Sequence, residues 1–235
     1  MISSRKRAAC IEAPGLIAPE SAAVTPWSSA GLRAVTTAAL INRRGSWQDC
    51  PDSQSPLGLR AEGRRVSSGL AVLPGDISYR RFTADDAEGV FAAACESWHA
   101  TYAHILPRQF IDGFLATHYG PEKLRTFARP TARGECFFHV AEDKGEIIGF
   151  CHIGFRTAGA ELYRIYLRPP YHGRGIGAHL LELGEDWLRA EKVDVYGCYV
   201  HKSNELGKRF YLRQGFAHRP ERDRGDEWYM EKRLA

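Results

Sequence analysis

The sequence predicts a mixed α/β domain in the C-terminal two thirds of the chain. Three observations lead to this class: short runs that alternate apolar and polar residues, longer stretches with apolar residues at helical spacing, and the order in which the two alternate. The predicted order is one strand, two or three helices, three strands, a helix, a strand, a helix and two strands. Neither a doubly wound Rossmann sheet nor a barrel has this order.

The composition of the 235-residue chain changes near residue 76. Ten of the thirteen serines lie before this point, but of the 26 aromatic residues only Trp27 and Trp47 do. Such a segment cannot bury enough apolar surface to offset the entropy lost on ordering. We therefore expect residues 1–75 to be a low-complexity, disordered extension, with a misplaced start codon or an organellar transit peptide as alternatives. Residues 76–235 are expected to form the folded domain.

The first half of this domain is predicted to contain a strand, then helices, then a hairpin. Asp85 or Asp86 can cap the first helix, and Pro121 suits the first turn of a later one. The turn signal Asp143-Lys144-Gly145 separates the two hairpin strands. The predicted elements are strand 77–82, helix 87–101, helix 108–117, a helix from 121, strand 136–141 and strand 146–155.

The second half is predicted to alternate strands and helices and to end in an antiparallel pair. The helix that begins at Ile176 has Leu180, Leu181, Gly184 and Leu188 on one face. The predicted elements are strand 161–167, helix 176–189, strand 192–200, helix 204–213 and strands 216–219 and 227–234.

Composition excludes several classes of function. No run of about 18 apolar residues exists, so we expect no membrane partner and no membrane-spanning helix. A formal net charge of +4 at pH 7 does not require a nucleic-acid partner. The six cysteines are scattered, without a Cys-x-x-Cys pair or zinc-type spacing to histidine. We therefore expect no metal, free thiols and a cytoplasmic protein.

The segment Glu161 to Ala178, ELYRIYLRPPYHGRGIGA, contains the residues that point to chemistry. A predicted strand leads into a loop that contains Gly173 and Gly175, and a helix follows. Glycines let backbone N–H groups approach an anion without obstruction by Cβ. The start of the helix adds N–H groups that have no acceptor and a partial positive charge. The segment therefore suits a pyrophosphate group, and Arg174 adds charge.

Two other interpretations fit the same glycines. They could make only a tight strand-to-helix turn. The pattern Gly173-x-Gly175-x-x-Ala178, with Asp194 about 20 residues on, also matches a dinucleotide-binding fingerprint. Against that fingerprint, Pro169 and the residues after it separate the strand from the glycines, where an immediate turn is needed. Only 62 residues follow Gly173, too few for the rest of a dinucleotide-binding sheet.

From about residue 77 onward the chain resembles the GNAT superfamily of N-acetyltransferases. The family signature Gln/Arg-x-x-Gly-x-Gly/Ala corresponds to HGRGIG, in which His172 replaces Gln or Arg. Residues 96–107 are also similar to the first-helix region of bacterial members. A second family motif, about 30 residues on, reads Asn204-x-x-Gly207-x-x-Phe210-Tyr211-x-x-x-Gly215-Phe216.

The resemblance implies a central, mostly antiparallel sheet of six to seven strands, splayed between strands 4 and 5 and flanked by about four helices. It implies acetyl-CoA as the co-substrate. Main-chain groups of Tyr166 and Leu167 would contact the pantetheine arm and the thioester, and Asn204 would bond the arm. The residues implied to hold the pyrophosphate are His172, Gly173, Arg174, Gly175, Ile176, Gly177 and Ala178.

The resemblance also implies two catalytic residues, Tyr211 and Glu161. Tyr211 would protonate the departing thiolate, although it could instead be an aromatic residue packed on the sheet. Glu161 would be the general base, although it could equally be an exposed carboxylate at a strand start. His139 and His152, on the two preceding strands, are alternative bases.

The function implied is acetyl-CoA-dependent N-acetyl transfer to a primary amine of a small molecule or protein, by direct attack in a ternary complex. One alternative is a non-catalytic acyl-CoA-binding regulatory domain, and another is an adaptor that binds an acidic partner through Arg5–Arg7 and Arg64–Arg65. Relatives are often dimers, so a homodimer is compatible with the resemblance. Side chains implied to wall the acceptor pocket are Glu96, His99, Tyr102 and His104, with Trp98 in the core.

Overall fold

The computed structural model describes residues 77–234, so the expectation of disorder for residues 1–75 lies outside the described part of the chain. The helices and strands are β1 Ile77–Arg81, α1 Ala87–Tyr102, α2 Arg108–Tyr119, α3 Pro121–Arg125, α4 Ala128–Ala132, β2 Phe137–Asp143, β3 Glu146–Arg156, β4 Gly159–Leu167, α5 Ile176–Ala190, β5 Val195–His201, α6 Glu205–Arg213, β6 Ala217–His218 and β7 Glu227–Arg233.

The element order agrees with the sequence prediction, with two local differences. The helix expected from Pro121 is two five-residue helices, α3 and α4, because the chain turns at Thr126 and Phe127. The strand expected at residues 216–219 is reduced to the two residues of β6.

The seven strands form one sheet in the order β1-β2-β3-β4-β5-β7-β6. Every neighbouring pair is antiparallel except β4 and β5, which run parallel. This mixed sheet confirms the fold that the family resemblance implied.

Strands β4 and β5 separate soon after they meet. Their ladder contains only two residue pairs, Ala160 with Tyr196 and Glu161 with Gly197. Beyond Glu161, β4 continues to Leu167 while paired to β3 alone. Tyr163 forms a bulge in this part of β4, because Leu162 and Arg164 pair with consecutive residues of β3. The result is the predicted splay, an open gap between the C-terminal ends of β4 and β5.

Helices cover the two faces of the sheet with separate apolar cores. Helices α5 and α6 pack on one face through residues such as Ile176, Leu180 and Tyr211. Helices α1 to α3 pack on the other face through residues such as Trp98 and Ile111. We refer to these as the α5 face and the α1 face.

The expectation of free thiols holds for Cys136, Cys151 and Cys198, which are free and buried. It is wrong at Cys95, which is disulfide-bonded. No helix within residues 77–234 is long and apolar enough to cross a membrane.

Candidate active site

The loop between β4 and α5 has the backbone conformation that its glycines predict. Gly173 and Gly175 have φ angles of 75° and 81°, in the left-handed region. A Cβ at either position would have no atom within 4 Å, so the glycines are required by conformation rather than by packing. Residues 173–175 are exposed. The loop therefore presents its backbone to solvent.

Six consecutive N–H groups of this segment, those of residues 173–178, donate to no acceptor within the described chain. The first helical hydrogen bond runs from the His179 N–H to the Gly175 carbonyl, at 3.0 Å. Buried Ile176 anchors the first turn of α5 in the α5-face core. The amides therefore combine with the partial positive charge of the α5 N-terminus to attract an anion.

A cavity of about 430 Å³ lies beside this loop. Gly175 and Ala178 line it from the start of α5, and Gln214 from the end of α6. The loop therefore has free volume next to its exposed amides.

The side chains of Arg174 and His172 contact neighbouring residues and do not bond the loop amides. The Arg174 guanidinium lies 5.0 Å from the ring centroid of Tyr171, whose hydroxyl donates to Asp143 at 2.9 Å. The Nε2 atom of His172 lies 2.9 Å from the Leu167 carbonyl and donates to it. His172, which replaces the family Gln or Arg, therefore fastens the loop to the end of β4.

The register of β4 shows which main-chain groups face the gap. The Arg168 N–H donates to the Ile148 carbonyl at 2.8 Å, which makes these two residues a hydrogen-bonded pair. Hydrogen-bonded and non-hydrogen-bonded residue pairs alternate along an antiparallel ladder. Leu167 and Ile165 therefore form non-hydrogen-bonded pairs with β3. Their main-chain groups point towards the gap, whereas those of Tyr166 point towards β3. The main-chain groups that face the gap are therefore those of Ile165 and Leu167, and not those of Tyr166.

Asn204 lies on the other side of the gap, just after β5. Its Oδ1 accepts from the Gly207 N–H at 2.8 Å and so caps α6, while its Nδ2 donates to the Tyr102 hydroxyl at 3.2 Å. A Cβ on Gly207 would lie 2.9 Å from Asn204 Nδ2. Glycine in place of the family alanine therefore leaves room for this side chain to fold over the helix start.

Tyr211 points from α6 into the α5-face core and is 9% exposed. Burial raises its pKa well above the usual value, and the nearby Cys198 thiol on β5, to which Tyr211 is hydrogen-bonded, adds to the effect. Tyr211 therefore remains protonated at physiological pH. The Tyr102 hydroxyl and the Cys151 thiol also raise the pKa of Tyr211.

Glu161 lies at the closed end of the gap, on the last residue pair between β4 and β5. Its Oε1 accepts from Arg156 Nε at 2.9 Å. Burial raises the pKa of Glu161, and Arg156, Arg224 and Arg222 act against this rise. Glu161 is thus a largely buried carboxylate rather than an exposed one at a strand start.

The two alternative bases occupy less suitable places. His139 is on β2, two strands away from the gap, and burial lowers its pKa to about 4. His152 on β3 is fully buried, and burial also lowers its pKa. Neither residue is placed at the gap.

The residues expected from the first helix divide between core and surface. Trp98 is 2% exposed and belongs to the α1-face core. His99 Nε2 lies 2.8 Å from Asp112, and His104 is exposed. Glu96 lies 3.6 Å from Arg168 Nε.

Sequence reasoning missed three residues near the gap: Ile165, Cys198 and Tyr119. The Tyr119 hydroxyl donates to that of Tyr166 at 3.2 Å. No motif singles out any of them, because each is defined by strand register or by contact between distant elements. Within residues 77–234, no three His, Cys, Asp or Glu side chains converge in the manner of a metal site.

Comparisons with known proteins agree with this geometry. Residues 98–216 match the model of the Acetyltransferase (GNAT) family. A spermidine N(1)-acetyltransferase from Thermoplasma acidophilum is 32% identical over 158 residues, which cover 67% of this chain and 97% of that protein. An aminoalkylphosphonate N-acetyltransferase from Salmonella typhimurium is 25% identical over 143 residues, which cover 58% of this chain and 82% of that protein.

A solved structure is similar over the same region. The crystal structure of the PaiA N-acetyltransferase from Thermoplasma acidophilum, in complex with coenzyme A, superposes with a TM-score of 0.65 at 30% identity. The match covers 68% of this chain and 99% of that one.

Proposed function

Because the chain belongs to the GNAT acetyltransferase family and is an N-acetyltransferase, we propose that it moves the acetyl group of acetyl-CoA directly to a primary amine within a ternary complex. The observation that carries this proposal is the row of six unbonded amides at residues 173–178, placed beside the gap between β4 and β5. We assign the activity to residues 76–235, and to the cytoplasm, where acetyl-CoA is available.

The loop and the β4 edge supply the donor site. The amides of residues 173–178 bind the pyrophosphate, and exposed Arg174 adds positive charge. The outward-facing main-chain groups of Ile165 and Leu167 bond the pantetheine arm, as an added strand would. Asn204 donates from Nδ2 to the same arm while its Oδ1 keeps the helix cap.

The reaction forms one bond and breaks one. The lone pair of the neutral amine forms a C–N bond to the thioester carbonyl carbon, and the C–S bond breaks with its electron pair on sulfur. Tyr211 gives its proton to this sulfur, and one amine proton leaves to the general base. The raised pKa of Tyr211 is compatible with this role, because the same dry surroundings also make the thiolate more basic.

Glu161 is the base in this proposal, acting through water. An alkylamine with a pKa near 10 is protonated at neutral pH and must lose a proton before it attacks. A glutamate whose pKa is raised by burial is better matched to that task than an exposed one. Arg156, at 2.9 Å, keeps the carboxylate oriented.

The acceptor is proposed to be a small-molecule or protein amine. Two relatives are named for small amines, spermidine in one and aminoalkylphosphonates in the other. These names support a small molecule rather than a protein as the acceptor. The relatives compared are named as acetyltransferases, and no observation favours a non-catalytic acyl-CoA sensor.

The test is release of free CoA thiol by the full chain, with acetyl-CoA and a panel of primary amines, alongside calorimetry of acetyl-CoA binding. We expect saturable binding and amine-dependent thiol release. Binding without release for any amine would refute transfer, and absence of binding would refute the donor site as well.

A further inference from the structure

Arg164 on β4 is a buried cation without a carboxylate partner. It is only 3% exposed, and no Asp or Glu in the described chain lies within ion-pair distance of it. Its Nη1 atom has no hydrogen-bond partner there, and Nη2 makes one long contact, 3.4 Å to the His118 carbonyl. A guanidinium removed from water in this way is unfavourable unless an anion compensates it.

The surroundings of Arg164 are aromatic. Its guanidinium carbon lies 4.3 Å from the ring centroid of Tyr119 and 5.5 Å from that of Phe127. His152, directly opposite on β3, is fully buried and lies beside the Cys136 thiol. The aromatic rings fix the guanidinium in place, but they do not satisfy its N–H groups. Arg164 thus keeps N–H groups that the described chain does not satisfy in a region closed to water.

This region lies on the α1 face of β4, the side away from the loop at residues 173–175. Arg164 and Tyr166 are two residues apart, so their side chains lie on the same face of β4, about 7 Å apart along the strand. Both belong to the α1 face, whereas the loop leads into α5 on the opposite face. A second group of an acceptor whose amine reaches the end of β4 would extend along this face towards Arg164.

We propose that Arg164 binds an anionic group of the acceptor, so that the enzyme acetylates amines that carry a carboxylate or phosphonate. This inference rests on the proposed function and specifies its substrate class. The guanidinium offers two parallel N–H donors to such an oxyanion, and His152 supplies a further donor when its N–H faces the group. A polyamine such as spermidine, in contrast, would bring a second positive charge to a buried cation.

The test compares three short acceptors of similar length with a longer polyamine, using the full chain and saturating acetyl-CoA. Thiol release is measured with 3-aminopropylphosphonate, β-alanine, propylamine and spermidine. We expect kcat/KM for the two anionic amines to exceed that for propylamine by at least about tenfold. In Arg164→Gln this ratio should fall to near one, mainly through KM, and Arg164→Lys should retain part of it.

Arg125→Gln is the matched control, because it removes one positive charge from neighbouring α3 at a partly exposed position paired with Glu88 and Glu122. It should leave the ratio unchanged. A wild-type enzyme that prefers propylamine or spermidine would overturn the inference, and so would an undiminished ratio in Arg164→Gln.

A binding measurement separates this inference from the proposed function and does not depend on how the variant folds. Propylphosphonate, which has no amine, is titrated into the CoA-loaded wild-type protein. We expect one site, with binding abolished by excess β-alanine. Binding of propylphosphonate without turnover of any amine would refute the proposed function alone. Turnover of amines that carry no anionic group, without propylphosphonate binding, would refute the role of Arg164 alone.

Discussion

The Nδ2 atom of Asn204 donates to the hydroxyl of Tyr102 across 3.2 Å, although 102 residues separate the two along the chain. Tyr102 ends α1 on one face of the sheet, and Asn204 starts α6 on the other. The two faces therefore meet at the open end of the gap between β4 and β5. Asn204 has a structural function and a proposed binding function, carried by different atoms of one amide.

Replacing Asn204 should separate these two functions. Asn204→Ala loses the helix cap and should lower the free energy of unfolding by about 1 kcal/mol. Asn204→Asp keeps the capping oxygen but has no Nδ2 donor, so stability should hold while KM for acetyl-CoA rises. Denaturant unfolding and thiol-release kinetics measure the two effects. Equal acetyl-CoA kinetics in Asn204→Asp and wild type would contradict the binding role.

Replacing Tyr211 by Phe should reduce kcat about 100-fold or more, because general acid catalysis typically contributes that much. Acetyl-CoA affinity, measured by calorimetry, should not change. Tyr196→Phe is the matched control: Tyr196 is also buried on the α5 face, but its hydroxyl bonds Glu185 at 2.6 Å. This control should lose about 1 kcal/mol of stability and keep its kcat. A normal kcat in Tyr211→Phe would show that water or another group protonates the thiolate.

Alanine at Gly175 should weaken acetyl-CoA binding at least about tenfold, equivalent to about 1.4 kcal/mol. The reason is that a side chain strains the left-handed conformation and displaces the loop amides. Gly134→Ala is the control, since Gly134 also has a positive φ and open space around it, in the turn after α4. Both variants should lose about 1 kcal/mol of folding stability. Only Gly175→Ala should change the Kd for acetyl-CoA measured by calorimetry.

Glutamine at Glu161 should remove the acidic limb of the pH profile of kcat/KM. A general base works only when deprotonated, so wild-type activity should rise with pH through the pKa of Glu161, which burial places above the ordinary glutamate value. Glu142→Gln is the control, because Glu142 on β2 is also paired with an arginine, at 2.7 Å, but lies far from the gap. An acidic limb that persists in Glu161→Gln would assign the base elsewhere.

His139 should make the protein sensitive to acid. Its pKa falls to about 4 in the folded state, from about 6.5 in an unfolded chain, so the folded state binds its proton less readily. Its contribution to stability is therefore present above pH 6.5 and is lost as the pH falls towards 4. In His139→Gln the loss of unfolding free energy between pH 7 and pH 4 should be smaller by roughly 1–2 kcal/mol. Parallel losses in both proteins would disprove this assignment.

Local sequence signals were sufficient to predict the order of strands and helices and the conformation of the loop between β4 and α5. Alternation and helical spacing predicted the strand and helix order, and Gly173 and Gly175 stand where a left-handed backbone is needed. These features depend on residues near one another in the chain. The helix predicted to begin at Pro121 does begin there, but it ends at Arg125 and α4 follows it.

The sequence by itself identified the family and predicted the coenzyme loop, Asn204 and Tyr211 as parts of the site, since each lies in a contiguous motif. Only the tertiary structure showed that β4 and β5 part after two residue pairs and that the main chain of Ile165, rather than that of Tyr166, faces the gap. It also showed that Arg164 is buried without a counter-ion among residues 77–234. The physical reason is that strand register and burial depend on contacts between distant segments. A single residue's shift in pairing changes which groups face the gap, and no local pattern records that shift.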